Sequence, residues 1–243
     1  GGHIQASKVQ VSANNMAIEG GRIEAKDSLK LSAEQDINIT SVTSETLNKE
    51  GRSDFSRSNI KRVAGLYVTG DGAEMSIEAG RDMRIAAAEI QQSGQAGKVS
   101  VSAGNNLKLA TVKTAESNNS IHSAKDFNKH SEHKDVGSWI STNGDISLEA
   151  GNQLELSGAH INSQEGEIGI RAEQVQIKNA TASYLSDIAS HTERDGTFSS
   201  KSKDQRDLFY ESTAVATVLS GNTITIESES DINITASHLV ADK

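Results

Sequence analysis

The sequence predicts an all-β protein built as a parallel β-helix, a solenoid of short strands stacked coil on coil. Three observations predict it. Seven segments share one rule: aliphatic-x-aliphatic-x-Ala, a short polar corner, then aliphatic-x-aliphatic. Within each segment apolar and polar residues alternate, which places one face of a strand in a core and the other in water. Proline is absent from all 243 residues, as expected where each interior N–H must donate to a neighbouring coil.

The first-strand pairs are Val9/Val11, Leu29/Leu31, Met75/Ile77, Val99/Val101, Ile146/Leu148, Ile168/Ile170 and Ile224/Ile226. Two residues later comes Ala13, Ala33, Ala79, Ala103, Ala150 or Ala172, with Ser228 in the seventh, a small side chain suited to a tight inward corner. Asn15, Asp36, Asp82, Asn106, Gln153, Gln174 and Asp231 precede the second strand, where Asn and Asp favour a turn. The second-strand pairs are Met16/Ile18, Ile37/Ile39, Met83/Ile85, Leu107/Leu109, Leu154/Leu156, Val175/Ile177 and Ile232/Ile234. A third apolar position follows at Ile23, Ile90, Ile161 and Leu239, with Ile4 in the equivalent place at the start. Like side chains in each column then stack on one another, one strand spacing apart.

Counted from Val9, successive first strands begin 20, 46, 24, 47, 22 and 56 residues apart. The long intervals carry three polar insertions, at about 41–70, 111–143 and 179–221, expected as β-hairpin arms with Glu50-Gly51 and Asp195-Gly196 near two tips, the alternative being one irregular extra coil each. Their ends resemble one another, and Val68, Ile140 and Leu219 are expected where the third core strand returns. All eight aromatics fall in these stretches: Phe55, Tyr67, Phe127, Trp139, Tyr184, Phe198, Phe209 and Tyr210. None is expected in a repeat strand, because a narrow bore holds aliphatics better than rings. The eight are a candidate recognition surface, Tyr67 and Trp139 sharing one column, set against simple packing of the insertions on the rod.

Composition excludes several chemistries. With no cysteine there is no disulfide, thiolate zinc site or thiol nucleophile. A net charge of -9 repels phosphate backbones and argues against a nucleic-acid partner. No apolar run approaches a membrane helix, and Gly1-Gly2-His3-Ile4 is no signal peptide. Asp126, His130 and His133 would suit a metal on a helix, but their neighbours read as a solvated charged arm, so no metal is expected. The acidic residues alternate outward without forming a carboxylate pair, and no catalytic site or cofactor is expected.

Three motifs carry a family resemblance: Ala-Gly-Asn-Asn-Leu-Lys-Leu at 103–109, Glu-Ala-Gly-Asn-Gln-Leu-Glu-Leu at 149–156 and Ser-Asp-Ile-Asn-Ile-Thr at 230–235. The chain resembles the haemagglutinin repeats of filamentous haemagglutinin-like exoproteins, which include the CdiA-type contact-dependent growth inhibition toxins. The resemblance implies a right-handed β-helical filament, secreted by an outer-membrane transporter of the two-partner type onto the surface of a Gram-negative bacterium. In the toxin branch it implies a role in presenting or delivering toxin to a target cell's outer membrane or receptor. The chain lacks the family's Asn-Pro secretion motifs and its Val-Glu-Asn-Asn signature. It opens and closes on third-strand positions, so 1–243 is expected to be a single β-helical domain, an interior piece of a longer chain. The expected function is structural and non-enzymatic. The alternatives are an adhesin segment binding host cells and, more remotely, a β-helical polysaccharide lyase or hydrolase.

Overall fold

The computed structural model describes residues 2–197 and 199–241. Among them there is no helix, and twenty-six strands form three sheets. The first two coils comprise β1 (His3–Ala13), β2 (Met16–Glu19), β3 (Arg22–Ala33) and β4 (Ile37–Thr40). A pair follows, β5 (Val42–Glu50) and β6 (Ser53–Arg62). The next two coils are β7 (Gly65–Val68), β8 (Glu74–Ala79) and β9 (Met83–Ala86), then β10 (Glu89–Gln92), β11 (Lys98–Ala103) and β12 (Asn106–Ala110). A second pair is β13 (Val112–Ser123) with β14 (Asp126–Val136). Two more coils are β15 (Trp139–Thr142), β16 (Asp145–Ala150) and β17 (Gln153–Ser157), then β18 (His160–Ser163), β19 (Glu167–Ala172) and β20 (Gln174–Lys178). The third pair is β21 (Ala180–Gly196) with β22 (Ser199–Val215), after which come β23 (Val218–Gly221), β24 (Thr223–Ser228), β25 (Ile232–Ile234) and β26 (His238–Ala241).

First strands stack in parallel, and so do second and third strands, giving a β-helix-like rod. The long β3 joins the first and third faces into one 13-stranded sheet: Arg22–Ala25 pairs with β7 and Ser28–Ala33 with β8. Second strands form a separate seven-stranded sheet. The register follows the sequence columns. Val101 lies opposite Leu148, Leu148 opposite Ile170, and Ile170 opposite Ile226. On the second face Ile37, Met83, Leu107, Leu154 and Val175 follow one another in the same way. These side chains fill the bore, and all but the partly buried Ile226 are at most 2% exposed.

The corners explain two columns. Ala33 pairs with Ala79, Ala79 with Ala103 and Ala103 with Ala150, each buried. Just beyond, Gly80, Gly104 and Gly151 bring successive backbones together. A Cβ on Gly104 would stand 2.2 Å from the Gly80 carbonyl oxygen, and one on Gly151 2.1 Å from that of Gly104. The Asn/Asp column does more than shape a turn. Asn15 Oδ1 accepts from the Asp36 N–H at 3.2 Å, Asp36 Oδ1 from the Asp82 N–H at 3.3 Å, and Asp82 Oδ1 from the Asn106 N–H at 3.2 Å. Each side chain thus reaches the equivalent residue one coil on, a ladder that binds coil to coil.

Two expectations about the third face need correction. Val68 lies buried on the returning third strand as expected, but Ile90 lies between Leu66 and Ile140, so Leu66 is the residue that shares the column of Ile140 and Leu219. Tyr67 lies opposite Gln91, whereas Trp139 lies opposite Glu89, so the two rings do not share a position. A two-residue slip preserves the alternation, which is why the pattern alone misplaces it. Both rings belong to the returning third-face strands β7 and β15 of the parallel sheet. They stand on its outer side, and the bore holds aliphatics together with the buried polar side chains of Gln92, Thr142 and Ser163.

Candidate functional site: the hairpin sheet and the aromatic side chains

The three antiparallel pairs form a single six-stranded sheet in the order β5-β6-β13-β14-β21-β22. Neighbouring hairpins meet edge to edge, β6 against β13 and β14 against β21, both antiparallel. Hairpins leave the rod after every second coil. Two coils and two strands occupy about the same length, because both spacings are roughly 4.7–4.9 Å. Hairpins of two strands therefore tile into one sheet alongside the rod without a gap.

The register is continuous across all six strands. One row runs Leu47, Ser56, Ser117, Ser131, Leu185, Tyr210. The adjacent row runs Asn48, Phe55, Asn118, His130, Ser186, Phe209. Adjacent rows project to opposite faces. Phe55, Tyr184 and Phe209 therefore share one face with His130; the Tyr184 and Phe209 centroids are 6.1 Å apart, and Tyr184 Oη lies 3.3 Å from His130 Nδ1. Phe127 and Tyr210 occupy the other face, where Lys129 Nζ sits 4.7 Å from the Phe127 ring centroid.

Tyr67 and Trp139 make a third group on the rod. Gly65 lies opposite Arg22 and Glu89, and the Tyr67 ring lies over that glycine: a Cβ there would meet its Cε2 at 2.4 Å. The ring fills the vacant slot, with the Arg22 guanidinium 4.1 Å from its centroid and its hydroxyl donating to Glu89 at 2.7 Å. Burial and that hydrogen bond push the phenol up to about 12. One coil past Glu89, Trp139 stacks on His160 with centroids 4.6 Å apart and planes 12° apart. The seven described aromatics thus make three separate groups; Phe198 lies outside the described residues.

The other candidates resolve locally. Asp126, His130 and His133 lie on strand β14, not on a helix, and three residues of separation sends the two imidazoles to opposite faces. Among the described residues, no group of three or more histidines and carboxylates could hold a metal ion. An open groove at the first corner has a floor of Ala79, Gly80, Ala103 and Gly104 and carboxylates at Glu78 and Glu149. Each carboxylate accepts from a serine two residues earlier, Ser76 at 2.6 Å and Ser147 at 3.1 Å.

Sequence reasoning passed over the hairpin roots. Ser41, Ser138 and Thr217 are buried where the chain leaves or rejoins the coil. Ser41 Oγ donates to the Ala87 carbonyl at 2.5 Å and accepts from the Ala64 N–H at 2.9 Å. Thr217 Oγ1 donates to the Lys178 carbonyl at 2.6 Å and accepts from the Ala159 N–H at 3.3 Å. The Ala88 N–H donates to Ser138 Oγ at 3.2 Å. These hydroxyls satisfy the buried N–H groups of Ala64, Ala88 and Ala159 at the roots. A Ser or Thr at each root, Ser41 before the first hairpin and Ser138 and Thr217 before the second and third returns, was the available signal.

Compared with protein-family models, curated proteins and solved structures, the chain finds no match.

Proposed function

We propose that this chain is a non-enzymatic structural segment of a secreted cell-surface exoprotein of the CdiA type. In this reading it is a right-handed β-helical rod that holds a functional end away from the producing cell, and its three inserted hairpin arms support delivery of the toxin into the target cell. The single observation that carries the reading is the repeating register: coils stack in line, with a hairpin after every second one. Such a unit can add length without a break, which is what a filament requires. The aliphatic bore resists bending, and a chain without proline or cysteine needs neither slow isomerisation nor oxidation after export. The secretion partner would be the outer-membrane transporter of the two-partner type, acting on the full-length protein.

The test is made in a producing bacterium. Replacing Val42–Arg62, Val112–Val136 and Ala180–Val215 by short turns should leave the exoprotein exported and attached to target cells while abolishing toxin entry. If target-cell attachment is lost instead, the segment is an adhesin. Undiminished toxin entry would contradict the proposal.

A further inference from the structure

The hairpin sheet ends on β22, a 17-residue strand that among the described residues is bonded only to β21. It is exposed over nearly its whole length, and Leu208, Phe209 and Tyr210 are 62%, 54% and 64% exposed. A long strand edge with unpaired N–H and C=O groups is a template for another strand unless charge, proline or a bulge blocks it. β22 contains no proline, and its pairing with β21 has no bulge. The hairpin also outreaches its neighbour, since β14 pairs with β21 only from Ala182 to Ala189.

The charges along this edge are self-complementary. Lys203-Asp204-Gln205-Arg206-Asp207 reads plus, minus, neutral, plus, minus. When two copies of one antiparallel strand pair about a two-fold axis, the hydrogen-bonding pattern requires the axis to pass a residue facing its own mate. Centring on Asp204, Arg206 or Asp207 sets like charges face to face. Centring on Gln205 sets Lys203 opposite Asp207 and Asp204 opposite Arg206, each twice, and lays Lys201 beside Phe209. Within the chain, Asp204 and Arg206 already pair with His191, Lys125 and Asp187. Asp207 is engaged by Gln205, two residues away on its own strand, at 3.4 Å.

We propose that β22 is a docking edge for a second copy of this chain, and that two copies join by antiparallel β22–β22 pairing centred on Gln205. The two hairpin sheets then become one sheet of twice the width, with the rods on opposite sides of the axis. Opposed charges directly across an antiparallel pair favour this register, and like charges disfavour its neighbours. Centring on Leu208 is a rival without like charges opposed; it offers Leu208 against Leu208 and Arg206 against Tyr210, but no ion pair.

Sedimentation of the purified chain over a range of concentrations tests the proposal. The wild type should form a dimer. Lys203→Glu and Asp207→Lys should each weaken it by about tenfold or more, roughly 1.4 kcal/mol. The double variant restores opposite charges and should return the affinity to near the wild-type value. Because the chain has no cysteine, Gln205→Cys reports the axis directly. Directly opposed Cα atoms stand about 4.5–5.5 Å apart, within reach of a disulfide, so mild oxidation should yield a covalent dimer. Leu208→Cys should remain uncrosslinked. A wild type that stays monomeric, single reversals without effect, a double variant that fails to recover, or crosslinking at Leu208 instead would each overturn the proposal.

Discussion

Leu148 has no exposed surface and lies between Val101 and Ile170 in the stacked column. Leu148→Ala should cost about 2–5 kcal/mol, because flanking coils held by their own backbone bonds cannot collapse into the cavity. Leu208→Ala, on the exposed edge, should cost about 0.5 kcal/mol or less in a monomer; urea unfolding of both variants checks the contrast. Gly104→Ala should destabilise by about 1–3 kcal/mol, since the new methyl meets the Gly80 carbonyl and the coils must part. Glu155 offers a test by pH. Burial pushes its carboxyl up, but hydrogen bonds from Lys178 and Lys108, whose Nζ atoms lie 2.8 and 3.1 Å from it, outweigh burial and hold it below the usual carboxylate range. A carboxyl lowered on folding stabilises fully above its unfolded value, about 4.3, and loses that contribution as pH falls through the folded value. Glu155→Gln should therefore lower stability at pH 7 by about 1 kcal/mol, since the partners are partly exposed. Thermal melts should show the gap to wild type closing as acid protonates the native carboxyl.

Each hairpin depends on its root as much as on its own strands. Thr217→Val keeps the shape of the side chain but leaves the Lys178 carbonyl and the Ala159 N–H without their hydroxyl partner, at a cost of about 1–3 kcal/mol. Thr217→Ser should recover most of that loss, and hydrogen exchange at the Ala159 amide should quicken in the valine variant alone. The core strands were legible from sequence because their alternation and Ala column follow from burial: Val99/Val101 and Ile146/Leu148 can sit only one way round. The return strands were less legible. Gly65-Leu66-Tyr67-Val68 keeps its alternation when slipped by two residues, and what decides its place is a ring lying over a glycine, which no periodicity encodes. The joined hairpin sheet was hidden because its rows are polar, as in Ser56, Ser117 and Ser131, and solvent on both faces imposes no pattern.

At the scale of the whole molecule, one spacing governs both layers. Coils advance along the rod by the same step that separates strands in the hairpin sheet, so neither layer strains the other. The seven described aromatics fall on different faces of two sheets, a distribution that chain distance does not encode. The stacking itself can be measured. Gln10, Lys30, Ser76, Ser100, Ser147, Gly169 and Thr225 occupy one outward row on seven successive coils. The most direct measurement is electron–electron dipolar spectroscopy on spin labels placed pairwise along this row. Labels at Gln10 and Thr225, six steps apart, should give a separation of about 29 Å, and moving the first label to Ser76 should shorten it by about 10 Å. A separation that does not shrink in proportion to the coils removed would contradict the stacked-coil fold.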